Sequence, residues 1–270
     1  GADLIARARR LAEERLAGRG LIAAPHRAGL GEEPVGFRGV LDPECTPYDV
    51  QRVCLAHPVY RNGGLTVLES DTGSGKTEAA LARFFRLYQA GLVDGMYFAV
   101  PTRTAAKQLY ARIDAIVKAV YAGSDAPPVI QAVPGYYRAD AVEGTLAAPF
   151  EIQWHDEAED DTVRERRWAA EHPKRYLAGA IVVGTIDQVL LSTLQVKHAH
   201  MRAAALLRHF LVVDEVHASD VYMTRLLMSV LDHHLAAGGH ALLMSATLGT
   251  AARIRLTTNG RGAVPPPEDA

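Results

Sequence analysis

Apolar positions follow two different periods along this chain. Residues 2–17 carry Leu4, Ile5, Ala8, Leu11, Ala12 and Leu16 at helical spacing with Arg and Glu between them, which predicts an amphipathic helix with a solvated charged face. From residue 65 the pattern changes to short apolar runs: Leu65-Thr66-Val67-Leu68, Met96-Tyr97-Phe98-Ala99-Val100, Val129-Ile130-Gln131-Ala132-Val133, Ala180-Ile181-Val182-Val183, Phe210-Leu211-Val212-Val213 and Ala241-Leu242-Leu243-Met244. Runs this short and this apolar suit strands buried on both faces. Helical stretches lie between them, at 78–90, after Thr104, from Ile186 to about Lys197 and over 221–236. The alternation predicts an α/β fold, a mainly parallel sheet flanked by helices on both faces. Residues 18–47, rich in Gly and Pro, are expected to lie on the surface without regular structure. Residues 134–177, with an acidic run from Asp156 to Asp161, are expected to form an insertion that is solvated and partly helical.

The first short run leads into Glu69-Ser70-Asp71-Thr72-Gly73-Ser74-Gly75-Lys76-Thr77, and a helical stretch follows. Strand, glycine loop, Lys-Thr and helix make the phosphate-binding loop of a P-loop NTPase. Gly73 and Gly75 allow backbone conformations closed to other residues, so that N–H groups, with those of Thr72 and Ser74, approach phosphate oxygens. Lys76 is placed to reach the β- and γ-phosphates of ATP and Thr77 to ligate Mg²⁺. Ser70 stands where the full motif has its first glycine. Downstream, the run 210–213 delivers Asp214-Glu215-Val216-His217. Asp214 is expected to hold the Mg²⁺ and Glu215 to polarise the attacking water. His217 can bridge from the γ-phosphate region to Ser245-Ala246-Thr247, coupling nucleotide state to the next strand end through Ser245 and Thr247.

Two further places have both a functional and a plain reading. Gln51, 25 residues before Lys76, can read the adenine edge, with Tyr48 or Phe37 stacking on the base, or can be an ordinary exposed helix residue. Thr102 and Arg103, after the second apolar run, can meet a nucleic-acid phosphate at a helix N-terminus, or Thr102 or Thr104 can be a simple N-cap. His155-Asp156 lacks the supporting ligand spacing of a metal-dependent phosphohydrolase, and His233-His234 is expected to be structural.

Composition narrows the classes. At 270 residues and 49% hydrophobic the chain can bury a large core, and no apolar run reaches the length of a membrane span. A net charge of −2 gives no global basic signal, so any nucleic-acid surface must be local. Cys45 and Cys54 have no metal-ligand spacing and read as packing residues in a reducing, cytoplasmic setting. The start at Gly1 and the tail Pro265-Pro266-Pro267-Glu268-Asp269-Ala270 suggest a piece of a longer protein.

Taken together, Thr72 to Thr77, Pro101-Thr102-Arg103, Gly184-Thr185, Asp214-Glu215-Val216-His217 and Ser245-Ala246-Thr247 resemble motifs I, Ia, Ib, II and III of the first RecA-like domain of superfamily 2 helicases. Val183 to Gln188 with Lys197-His198, and Asp214 to Asp220, are similar to the CRISPR-associated helicase–nuclease of type I systems, as are Glu69 and Glu78 to Leu81. Ser70-Asp71 and Ser219 depart from that family, which usually has Ala-Pro and an aromatic there. The resemblance implies a RecA-like domain over 46–250, a lead-in over 1–45 and a linker over 251–270. It also implies ATP-driven 3′-to-5′ movement on single-stranded DNA after a CRISPR guide-RNA surveillance complex opens the target. Thr102, Arg103 and Thr185 would touch the DNA backbone. A second RecA-like domain and an HD nuclease domain would lie outside this chain. A nucleotide- or DNA-binding fragment inactive alone, and a general superfamily 2 helicase, are the alternatives.

Overall fold

The structure is a computed structural model that describes residues 2–17, 22–122, 126–133, 135, 137–139, 142–147, 151–154, 175–194, 199–216, 221–248 and 254. The strands are β1 (Gly64–Glu69), β2 (Gly95–Val100), β3 (Val129–Ala132), β4 (Tyr137–Ala139), β5 (Val142–Ala147), β6 (Glu151–Trp154), β7 (Ile181–Thr185), β8 (His209–Val213) and β9 (His240–Ser245). The helices are α1 (Ala2–Ala17), α2 (Ala23–Ala28), α3 (Asp49–Ala56), α4 (Lys76–Gln89), α5 (Arg103–Tyr121), α6 (Ile186–Leu190), α7 (Ala199–Leu206) and α8 (Val221–Ala236). They build one sheet in the order β1-β9-β8-β2-β7-β3-β4-β5-β6. Neighbours from β1 to β3 are parallel, and β3 to β6 are joined antiparallel.

Side-chain alternation divides the core into two layers. On β2, Met96, Phe98 and Val100 pack with Leu81, Phe84 and Phe85 of α4 and Tyr110, Ile113 and Val117 of α5. Tyr97 and Ala99 point the other way, to Ile186 and Val189 of α6, Leu206 of α7 and Leu227, Val230 and Leu231 of α8. Covered on both sides, the central strands need no polar alternation, which is why they read as unbroken apolar runs.

Three expectations change. Residues 18–47 are not a featureless surface: within them α2 forms, and Leu30, Val35 and Val40 are buried in the α4/α5 core. Tyr88 Oη donates to Ala23 O at 3.0 Å, Tyr121 Oη to His26 O at 2.9 Å, and Gln89 Oε1 accepts from Val35 N at 3.0 Å. Side chains of α4 and α5, distant in sequence, supply the partners that hold this Gly/Pro-rich segment. Residues 137–154 add three strands to the sheet rather than helix, because the unpaired edge of β3 offers a backbone ladder that any short extended segment can join. The acidic run and His155-Asp156 lie outside the described residues. The helix after Thr185 ends at Leu190 and gives way to turns, and α7 was not anticipated. The apolar stripe of α1 is solvent-facing, with Leu4 73% and Leu11 53% exposed.

Candidate functional site

The carboxyl ends of the parallel strands assemble the site. β1 ends at Glu69, the loop Ser70–Gly75 turns, and α4 starts at Lys76. Gly73 and Gly75 have φ of 83° and 79°. The positive φ favours glycine at position 75, and a Cβ there would also fall 2.1 Å from Gln51 Nε2, so a larger residue would displace the Gln51 amide. Lys76 Nζ donates to Ser70 O at 2.6 Å and Asp71 O at 2.9 Å, so the ammonium lies over the loop. Ser74 Oγ is buried with no hydrogen-bond partner.

β8 supplies the acidic pair. Asp214 N donates to Ala99 O at 2.9 Å, which continues the β8–β2 ladder one residue beyond the strand. Asp214 Oδ1 accepts from Glu215 N at 3.0 Å. Glu215 has φ of 55°, in the left-handed region, the kind of local strain that gathers at functional sites.

α3 closes the site from the side. Gln51, only 2% exposed, accepts from Tyr48 N through Oε1 at 2.8 Å and donates from Nε2 to Gly75 O at 3.1 Å. It is therefore a buried strut against the phosphate loop, not the plain exposed residue of the alternative reading. Tyr48 is 61% exposed, while Phe37 packs on the core. A cavity of about 570 Å³ is lined by Tyr48, Gln51, Thr72, Gly73, Gly75, Lys76, Thr77, Asp214 and Glu215 together. The donor set fits a hard cation: the Thr77 hydroxyl and the Asp214 carboxylate face one cavity and offer oxygen only, as Mg²⁺ prefers. The turned backbone of Gly73 and Gly75, both lining the cavity, suits an incoming phosphate.

The remaining predicted residues follow the same rim. Ser245 at the end of β9 is paired with Glu69 in register, and its carbonyl accepts from Ser70 N at 3.2 Å. Ser245 Oγ donates to Thr247 O at 3.1 Å. Thr102 and Arg103 are exposed after β2, and Thr102 Oγ1 accepts from Ala105 N at 3.1 Å, a regular N-cap. Thr185 ends the adjacent β7 but is 4% exposed, with its carbonyl accepting from Tyr97 Oη at 3.0 Å. His217, Ser219 and Lys197-His198 lie outside the described residues.

Among the lining residues that sequence reading did not assign to the site are Leu41, Cys45 and Arg112. Nothing in their spacing marks them, because they come from the refolded lead-in and from the middle of α5. Cys45 is exposed at the cavity rather than packed. Cys54 is buried, and burial pushes its thiol up to about 11, which fits a packing role. His234 is buried with Nε2 against His240 O at 3.1 Å, a structural histidine as expected. Among the described residues no group of His, Cys, Asp and Glu is arranged as a metal-binding cluster, and no helix is long and apolar enough to cross a membrane.

The model of the DEAD/DEAH box helicase family matches residues 48–254. The chain belongs to that family. Its relatives include the CRISPR-associated endonuclease/helicase Cas3 of Escherichia coli, 37% identical over 213 residues, and that of Thermus thermophilus, 37% identical over 188 residues. These alignments cover 79% and 68% of this chain but 23% and 20% of the relatives, so the chain spans about a fifth to a quarter of their length. Among solved structures, T. fusca Cas3–ATP superposes with a TM-score of 0.65 at 26% identity, over 91% of this chain and 27% of that one. The helicase domain here is thus a RecA-like P-loop domain of the Cas3 type, as the motifs implied.

Proposed function

We propose that residues 46–250 are the first RecA-like domain of an ATP-driven motor that moves 3′ to 5′ on single-stranded DNA in type I CRISPR interference. The observation that carries this reading is the single cavity shared by Gln51, Lys76, Thr77, Asp214 and Glu215. The Cas3 relatives support the CRISPR setting, and so does likeness to a chain of a CRISPR RNA-guided surveillance complex in a pre-nicking state, with a TM-score of 0.53 at 26% identity. In this reading Thr72 to Gly75 cradle the phosphates of ATP, Lys76 leaves its loop carbonyls for the β- and γ-phosphates, and Gln51 with Tyr48 receives the adenine. Thr77 and Asp214 would hold Mg²⁺, which when bound draws off the negative charge that builds on the phosphate oxygens. Glu215 orients and polarises the attacking water. His217, Ser245 and Thr247 couple that event to the neighbouring strand end.

Thr102 and Arg103 present a helix N-terminus and a cation to the DNA backbone, with Thr185 one strand further along. Such contacts are independent of sequence and weaken with salt. The motor would act in the cytoplasm on DNA opened by the guide-RNA surveillance complex, with an HD nuclease elsewhere in the assembly. A second RecA-like domain supplies the arginine finger. The test is DNA-stimulated ATP hydrolysis. The 270-residue chain alone is expected to show negligible turnover, restored on addition of the second domain and stimulated by single-stranded DNA over RNA. Brisk hydrolysis by the chain alone would overturn the two-domain reading.

A further inference from the structure

The nucleotide cavity has a second cation that no helicase motif accounts for. Arg112, in the middle of α5, lines it together with Lys76, and these are the two cationic side chains among the described lining residues. Three carboxylates line it as well, those of Glu78, Asp214 and Glu215. With Arg112 the lining side chains carry two positive charges against three carboxylates, and without it one against three, so Arg112 lessens the repulsion that an entering triphosphate meets.

The position of Arg112 is fixed by Glu78. Its Nη2 is hydrogen-bonded to Glu78 Oε1, a carboxylate whose side chain is 9% exposed, while Arg112 itself is 54% exposed. Glu78 follows Thr77 directly in the first turn of α4, so the guanidinium is held beside the helix end that receives phosphate. Gln51 fixes the direction along the cavity. It donates to Gly75 O, on the side that the reading above gives to the base, whereas that reading gives Asp214 and Glu215 the metal and the water. Between these limits the nucleotide offers its α-phosphate and its ribose. A guanidinium has donors only, arranged as a planar fork, which matches phosphate oxygens and not the mixed donor–acceptor edge of adenine.

We infer that Arg112 binds the α-phosphate of the nucleotide, with one arm anchored on Glu78 and the others turned to the ligand. The inference rests on the ATP-binding reading above and adds to it a residue outside the shared motifs. Because α5 also begins at Thr102 and Arg103, about 14 Å of helix separates this contact from the proposed DNA contact.

The experiment is titration of the full-length protein with a fluorescent ADP, followed by competition with AMP and with adenosine. Arg112→Ala is expected to weaken ADP and AMP by about tenfold and to leave adenosine within about twofold. Arg112→Gln, which keeps the stem and a donor but not the charge, is expected to lose nearly as much and guards against a folding defect in the alanine variant. Lys118→Ala, an equally exposed cation on the same helix paired with Asp114, should bind as the parent does. If Lys76→Ala weakens ADP while both Arg112 variants bind normally, the inference is wrong and the nucleotide site stands. If none of these variants changes ADP affinity, the nucleotide reading itself fails. Equal losses for AMP and adenosine would place Arg112 on the ribose or the base and overturn the α-phosphate assignment.

Discussion

Glu69 Oε1 accepts a hydrogen bond from Leu248 N at 2.8 Å. Glu69 ends β1, where the phosphate loop begins, and Leu248 follows the Ser245-Ala246-Thr247 turn after β9. The two strands are parallel neighbours with Glu69 and Ser245 in register, so the carboxylate ties that turn to the root of the phosphate loop. Removing the acceptor in Glu69→Ala leaves the Leu248 amide without its partner. Its exchange with solvent deuterium is expected to speed up about tenfold, equivalent to about 1.4 kcal/mol of local opening. Glu69→Gln keeps an oxygen acceptor and should show less than half of that effect. An unchanged exchange rate in the alanine variant would show that the turn is held by other groups.

Lys76 and Glu215 line one cavity but are expected to fail differently when replaced. Lys76→Ala removes the ammonium that neutralises phosphate charge, so ATP binding and hydrolysis both fall, hydrolysis by at least about 100-fold. Glu215→Gln keeps the size and polarity of the side chain but loses the general base. Turnover should drop by roughly 10² to 10⁴, with ATP affinity within about threefold of the parent. Single-turnover hydrolysis and equilibrium ATP binding, both measured with the second RecA-like domain present, separate the two. A Glu215→Gln variant that hydrolyses ATP normally would remove Glu215 from the chemistry.

The backbone at Glu215 gives an independent prediction on stability. A φ of 55° costs a non-glycine residue about 1 kcal/mol. Glu215→Gly relieves this but adds unfolded-chain entropy of similar size, so the net change is expected within about 0.5 kcal/mol. Glu215→Val, branched at Cβ and poorly suited to positive φ, should cost about 1–2 kcal/mol more. Urea denaturation midpoints decide this, and a glycine variant much less stable than the valine one would mean that Glu215 contributes contacts and not strain.

The six parallel strands and the helices α3, α4, α5 and α8 were legible because each carries its own period, and burial on both faces removes ambiguity from runs such as Met96 to Val100. The phosphate loop and the acidic pair were legible because their chemistry fixes residue type and spacing locally. What escaped depends on partners far away in sequence. Val35 and Val40 are buried by α4 and α5, and Gly39 sits so close to α5 that an added Cβ would fall 2.7 Å from Val120 Cα. No local signal reports such packing. The strands of 137–154 take their structure from the open edge of β3. Arg112 enters the cavity through tertiary placement alone. Thr185, which the resemblance assigns to the DNA backbone, is only 4% exposed, and no local signal reports that burial either.

Three buried histidines make stability depend on pH. His209, His234 and His240 lie at or beside the amino ends of β8 and β9, the rim opposite the nucleotide cavity. Burial holds the pKa of each below the usual 6.5. For His209 the carbonyls of Ala205 at 2.6 Å and Gly179 at 2.7 Å pull the other way, but burial is the larger influence. In the window below 6.5 the unfolded chain holds more protons than the folded one, so stability rises with pH there and is complete above about pH 7. The melting temperature is expected to fall between pH 7.5 and 5.5, as the unfolding free energy declines with a limiting slope of about 4 kcal/mol per pH unit for three histidines. His234→Leu removes one of the three and should flatten the curve. A melting temperature independent of pH across that range would show that these imidazoles titrate alike in both states.

Gly184 and Tyr97 provide a test of how tightly the carboxyl rim is packed next to the proposed DNA contact. A Cβ on Gly184 would stand 2.4 Å from Tyr97 Oη, and 2.7 Å from both Ala132 Cβ and Ala132 O. All of these atoms belong to the central strands β2, β7 and β3, which have little freedom to move apart. Gly184→Ala is therefore expected to cost about 1–3 kcal/mol by overpacking. Tyr97→Phe loses the buried hydrogen bond to Thr185 O and should cost about 1 kcal/mol. The pair should not be additive. Deleting the hydroxyl removes the nearest obstacle to the new methyl group, so the double variant is expected to be more stable than the sum of the singles by at least about 0.5 kcal/mol. Chemical denaturation of the four proteins completes the cycle. Strict additivity would mean that β7 shifts away from β2 to admit the methyl group, and Thr185 would then move with it, which a change in the salt dependence of DNA binding by Gly184→Ala would register.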